Sequence, residues 1–177
     1  MARLALVVVF VLALVAIGAF LLKRRRPQQK TDFKTTEELM AYLADEAVAD
    51  AAKNNNTKLD YSIESIERAE EVLGRLHDQY IADKSSLSVS GLAMAYGAYV
   101  AEVIRRDNPD SRWVRDHAVA GEKSYPLHWL GGESFPCAWC FKRITNGPED
   151  NVWHKYLVLK EQRLPGTTQA PPIESGH

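Results

Sequence analysis

Residues 89–106 read VSGLAMAYGAYVAEVIRR, and this stretch decides the fold. On a helix of about 3.6 residues per turn, Leu92, Met94, Tyr96, Tyr99, Val100, Val103 and Ile104 cover most of the circumference. Gly91, Gly97 and Ala98 leave room for a neighbour to approach closely. A helix that is apolar nearly all round is buried at the centre of its domain. Arg105-Arg106 suits the negative end of the helix dipole, and Asp107-Asn108-Pro109 stops the helix.

Two amphipathic helices precede it. Thr35 and Glu38 have the spacing of a capping box, with Glu37-Glu38 where the dipole favours anions. Leu39, Leu43, Ala47 and Ala51 then recur every fourth residue, which predicts a helix to about Lys53, ended by Asn54-Asn55-Asn56. A second helix is expected to open near Asp60 or Ser62. It buries Ile63, Ile66, Leu73, Leu76 and Tyr80 and turns Glu64, Glu67, Arg68, Glu70 and Glu71 outward.

The pattern changes after Pro109. Arg112-Trp113-Val114 and Tyr125 to Leu130 read as short strands, with Tyr125, Leu127 and Trp129 on one face and Gly131-Gly132 as the turn. Pro136 suits the first turn of a helix running to Thr145, closed by Asn146-Gly147. A last helix is expected from about Pro148, carrying Val152, Trp153, Tyr156, Leu157 and Lys160. The resulting expectation is an α+β fold: a mostly helical single domain with a small antiparallel sheet, preceded by one transmembrane helix.

That helix is read from the amino-terminal end. Leu4 to Leu22 is nineteen residues without a charge, and Lys23-Arg24-Arg25-Arg26 follows at once. At ~1.5 Å per residue the run reaches ~28 Å, close to the ~30 Å hydrocarbon core of a bilayer. A cleaved signal peptide is the competing reading, because Ala16-Ile17-Gly18 has the small-residue spacing of a cleavage site. The run is longer than such peptides use, and Ala19-Phe20-Leu21-Leu22 stays apolar up to the cations, which favours an anchor. Cations collect on the cytoplasmic side, so residues 1–3 are expected outside, 4–22 in the membrane and 23–34 as a basic juxtamembrane linker. Residues 35–163 form the cytoplasmic domain, and the Pro- and Gly-containing tail 164–177 is expected to be disordered. The localisation that follows is a single-pass protein of the cell inner membrane, and two cysteines in the whole chain suit a reducing compartment.

A formal net charge of −1 conceals an asymmetry. Residues 1–34 hold seven Lys/Arg and one acid, whereas the rest holds 15 Lys/Arg against 22 Asp/Glu. An acidic domain repels phosphate backbones, which excludes nucleic acid as the expected partner. A basic protein suits it better, since complementary charge speeds encounter. Glu37, Glu38, Asp45, Glu46 and Asp50 share one helix, with no Lys or Arg before Lys53, and form the candidate binding surface. The plainer reading of the same acids is a solvated face that keeps the domain soluble.

Two features bear on chemistry. Cys137-Ala138-Trp139-Cys140 is a C-x-x-C at the start of a helix, where the dipole lowers a thiol pKa and suits redox work. No strand–helix–strand pattern surrounds it, Phe141 stands where a haem-attachment motif has His, and a zinc site lacks its second ligand pair. Thiol redox or metal binding through Cys137 and Cys140 is therefore the alternative function, beside two small core thiols. Glu102 is the one acid inside the apolar helix. Buried, it is either a general acid or base or, more often, a structural partner for Arg112, Arg115 or Arg143. No G-x-S-x-G, G-x-G-x-x-G, phosphate-loop or H-E-x-x-H motif occurs, so no catalytic residue is assigned and no cofactor is implied.

The run Gly97-Ala98-Tyr99-Val100-Ala101-Glu102-Val103-Ile104-Arg105-Arg106, then Trp113, then Lys142-Arg143-Ile144-Thr145-Asn146-Gly147, resembles a class of uncharacterised bacterial membrane-anchored domains. There a Gly-Ala-Tyr helix with a Glu precedes a Trp strand and a Lys-Arg helix closed by Asn-Gly. The resemblance covers residues 58–160, with Ala101 where a second Gly is expected. It implies bacterial origin and a fold, and carries no activity. The function expected from the sequence is a membrane-anchored, non-enzymatic binding module, for example an inhibitor or immunity-like factor, holding the membrane through residues 4–22 and a basic protein through its acidic first helix.

Overall fold

The computed structural model describes residues 32–122 and 124–163. The expected anchor at 4–22, most of the linker 23–34 and the tail 164–177 lie outside the described residues. No helix among the described residues is long and apolar enough to cross a membrane. Every described element belongs to one unit that begins at Phe33.

Five α-helices and a three-stranded antiparallel sheet make this unit α+β. Helix α1 spans Thr36–Asn55. Half of the expected capping box forms: Thr35 Oγ1 accepts the Glu38 N–H at 3.1 Å, whereas Glu38 Oε2 reaches past the Thr35 amide and accepts the Lys34 N–H at 2.8 Å. Asn56, in the left-handed region at φ 47°, ends it. The buried stripe is Met40, Ala44, Ala47 and Ala51, so Leu39 and Leu43 flank it instead of centring it. Small alanines there let the apolar helix of residues 89–107 come close.

Helix α2 spans Ser65–Ala82, opening later than the pattern suggests. Tyr61 sits at φ 61°, and Asp60 Oδ1 accepts the Ser62 N–H at 3.2 Å. The chain spends these residues on an Asx turn, which competes with helix. Helix α3 spans Val89–Asp107 and buries ten residues on all sides, from Ala93 to Ile104. It packs against both α1 and the helix that opens at Pro136.

Strands β1 (Arg112–Trp113), β2 (Leu127–Trp129) and β3 (Gly132–Ser134) follow in that spatial order. The β2–β3 turn is Leu130-Gly131, at φ 46° and 74°, one residue before the Gly131-Gly132 expected from sequence. Two positive φ values at a two-residue loop match the right-handed twist of the strands. At Gly132 an added Cβ would lie 2.9 Å from the Arg163 guanidinium carbon and would displace that side-chain end.

Helix α4 spans Pro136–Asn146, with Pro at its first position. A 3-10 turn at Pro148–Asp150 and helix α5, Val152–Arg163, complete the unit. The last α-helix thus begins after Asn151, whose Oδ1 caps the His154 N–H at 2.7 Å. Trp129 from the sheet stacks on Tyr156 of α5 with centroids 6.1 Å apart, tying the sheet to the helical core.

Candidate functional site

The five acids of α1 divide by what they touch. Asp45 accepts a hydrogen bond from Tyr61 Oη at 2.6 Å, and Asp50 accepts one from Tyr96 Oη at 2.8 Å and one from Asn54 at 2.6 Å. Burial, then the bond to Asp45, pushes the Tyr61 hydroxyl well above the ordinary tyrosine range, and burial and Asp50 do the same to Tyr96. Both phenols therefore stay protonated and remain donors. Glu38 accepts the Lys34 N–H ahead of the helix, while Glu37 and Glu46 have no hydrogen bond among the described residues. None of the five acids forms an ion pair among the described residues, and Glu38, Asp45 and Glu46 are exposed. The helix presents negative charge whose position is set from beneath by two tyrosines.

Glu102 is half-buried, and its partners are not those expected. Arg105 Nη1 lies 2.9 Å from its carboxylate and Arg106 Nε 3.5 Å, both on its own helix. Arg112, Arg115 and Arg143 are engaged elsewhere or at the surface. The i, i+3 and i, i+4 spacing allowed these pairs all along. The Arg106 guanidinium also lies over the Tyr61 ring, 3.6 Å from its centroid. Asp45, Tyr61, Arg106 and Glu102 thereby form one polar chain from α1 to α3, linking two residues that the sequence singles out separately.

Cys137 and Cys140 are free thiols, 8% and 0% exposed. Burial pushes the Cys137 thiol up to about 12 and raises Cys140 well above the ordinary range. The effect of burial opposes that of the helix N-terminus and outweighs it here. Protonated thiols are poor nucleophiles and poor metal ligands. Cys137 lies against Gly97 and the Met94 carbonyl of α3. No group of three or more His, Cys, Asp or Glu among the described residues converges as a metal ion requires.

The buried charge that sequence reading misplaced is Glu70. It was expected on the outward face of α2, yet it is 7% exposed and paired with Arg143, 8% exposed. Its second carboxylate oxygen accepts the Val152 N–H at 2.8 Å, at the N-terminus of α5. One acid therefore joins α2, α4 and α5. Nothing in the periodicity of α2 marked it, because its partner lies 73 residues away.

The outer face of the sheet carries a second polar row. Register places Arg112 beside His128 and His128 beside Glu133. His117 Nε2 lies 2.9 Å from Glu133 Oε2, while its Nδ1 accepts the N–H groups of Val119 and Ala120 at 3.2 and 3.0 Å. The two donating amides assign the ring proton to Nε2, so the basic lone pair of His117 is already occupied. Arg112 and His128 border a cleft of about 410 Å³ that also includes Asp107 and Asp110. Asp107 is held 3.0 Å from Lys160. The cleft mixes both signs of charge and assembles no nucleophile with a base. The chain matches no protein-family model, no curated protein and no solved structure.

Proposed function

We propose that the chain is a membrane-anchored, single-pass binding module, with its C-terminal domain in the cytoplasm and a basic protein as the partner of its first helix. The anchor is argued from the uncharged run Leu4 to Leu22 and the four cations after it. The observation that carries the binding reading is the outward acidic face of α1. Its charges have no cationic partner within the described unit, and hydrogen bonds from Tyr61 and Tyr96 hold two of them in place. A surface ordered before binding loses little entropy on docking. An inhibitor or immunity-like factor would use such a face to steer and hold a cationic protein.

The test is partner capture from membranes at low and high salt, comparing the wild type with a Glu37→Lys, Glu46→Lys double reversal. Neither residue has a hydrogen bond to lose, whereas reversing Asp50 would also break the bond to Tyr96. The wild type should capture at low salt and lose partner as salt shortens the screening length toward ~3 Å at 1 M. The double reversal should capture poorly at both. Equal capture in all four conditions would remove the acidic face from recognition.

A further inference from the structure

We propose that the turn at residues 117–121 is a pH-sensitive latch, closed by the neutral ring of His117 and opened at its tip when that ring becomes an imidazolium. His117 holds the turn through its backbone and its side chain alike. Its carbonyl accepts the Gly121 N–H at 2.8 Å, and its own N–H donates to Ser124 Oγ at 3.1 Å. The ring closes the tip: Nδ1 accepts the Val119 N–H at 3.2 Å and the Ala120 N–H at 3.0 Å. On its other side Nε2 lies 2.9 Å from Glu133 Oε2 of β3, and the ring stands edge-on to Phe135 with centroids 5.4 Å apart.

An imidazole changes charge between about pH 5 and 8, and the imidazolium carries a proton on both nitrogens. It then has no acceptor to offer. Turning the ring over does not restore one, because a C–H then stands where Nδ1 stood. The Val119 and Ala120 amides therefore lose their acceptor together. The contact with β3 responds in the opposite sense. Nε2–H still donates to the Glu133 carboxylate, and the contact becomes an ion pair. The ring thus stays on β3 while the tip lets go.

What opens is limited to the tip. The bond from Gly121 to the His117 carbonyl and the bond to Ser124 do not involve the ring, so the base of the turn keeps them. The Val119 side chain is 90% exposed, so its packing cannot replace the lost bonds.

Glu133 is the charged group in contact with the ring. Register then places His128 of β2 beside Glu133 and Arg112 of β1 beside His128. By sequence the segment itself adds Arg115, Asp116, Glu122 and Lys123. His128 titrates in the same general range as His117, so the test must separate the two imidazoles.

The experiment follows the full ¹⁵N-labelled chain in neutral detergent by NMR from about pH 8 to about pH 5. Ring ¹⁵N shifts report the protonation of His117, and the Val119 and Ala120 amides report the latch. At pH 8 the ring proton should sit on Nε2. As the ring titrates, the order parameters of both amides should fall from about 0.85 to about 0.6 or lower, on the curve of the His117 ring. The Gly121 amide should keep its order. His128→Gln should leave this response in place. In His117→Asn the side-chain oxygen can stand where Nδ1 stood and accept the same amides without titrating, so both should stay ordered down to pH 5. The wild-type curves and His128→Gln decide the matter even if His117→Asn does not form the turn. A ring proton on Nδ1 at pH 8, amides that stay ordered while the ring titrates, a response abolished in His128→Gln, or an ordered turn in His117→Asn that still opens in acid overturns the latch.

Discussion

Replacing Gly97 by Ala tests the closest contact in the fold. Gly97 lies in the middle of α3, where Ala is the better helix former by about 1 kcal/mol, so local propensity favours the change. Packing opposes it. A Cβ built on Gly97 would meet the Cys137 Cα, and would lie 2.5 Å from the Cys137 backbone nitrogen and 2.9 Å from its Sγ. Backbone cannot escape by changing rotamer, so α3 and α4 must separate by about 1 Å to restore ordinary contact of ~3.5 Å. That movement disturbs a buried layer in which Tyr96, Ala98, Cys140 and Ile144 are all 0% exposed. Overpacking of this kind costs about 1–3 kcal/mol, occasionally more, and the backbone clash places Gly97→Ala at the upper end. After the propensity gain, a net loss of about 2 kcal/mol is expected. With a urea slope of about 1–3 kcal/mol/M, the midpoint should fall by roughly 1 M. Gly91→Ala is the matched control on the same helix. Its Cβ would meet only the Ser88 side chain, 3.0 Å away at Oγ and free to move on an exposed first turn. That variant should be neutral or up to about 1 kcal/mol more stable. Gly97→Ala as stable as Gly91→Ala would refute the close approach of α3 to Cys137.

The buried pair Glu70–Arg143 should behave as a unit. Glu70→Gln or Arg143→Met alone leaves a buried charge without its partner and should cost about 3–5 kcal/mol in urea unfolding, while the double variant should cost clearly less than the sum. Additive losses would show that the pair does not couple. The cysteines make a pH prediction. Raised thiol pKa values mean that the folded state binds more protons than the unfolded one between the ordinary thiol range and about 12. Their contribution to stability is thus fully present at neutral pH and lost as pH rises through that window. Cys137→Ala, Cys140→Ala should cost stability at pH 7 and flatten the alkaline limb of the stability curve. Native wild type should also resist thiol reagents at pH 8 until urea unfolds it. Rapid labelling of the native protein, or one equivalent of tightly held zinc, would contradict the buried-thiol geometry and promote redox or metal chemistry.

Local sequence carried the elements because each was marked by short-range physics. The all-round apolar character of 89–106 marked α3, the Thr35/Glu38 spacing marked the start of α1, and Pro136 marked the start of α4. Boundaries slipped where side chains offered the backbone an alternative, as at Asp60–Ser62 before α2 and at Asn151 before α5. The same limit applied to the candidate residues. The charges on α1, the acid at 102 and the thiols at 137 and 140 were all legible as residue types. Their roles were decided by neighbours distant in the chain. Asp45 and Asp50 are held by Tyr61 and Tyr96, 16 and 46 residues away. Cys137 lies against Gly97 of α3, 40 residues before it, and its burial reverses the pKa shift a helix start would give. Glu70 looked like surface on its own helix and became the buried centre of three, because its partners Arg143 and Val152 come from 73 and 82 residues downstream. Sequence by itself determined the helical pattern, the asymmetry of charge and the apolar run at the start. Only the tertiary structure decided which charges are buried and paired and which thiols are shielded, since burial and pairing depend on packing between elements and not on spacing within one.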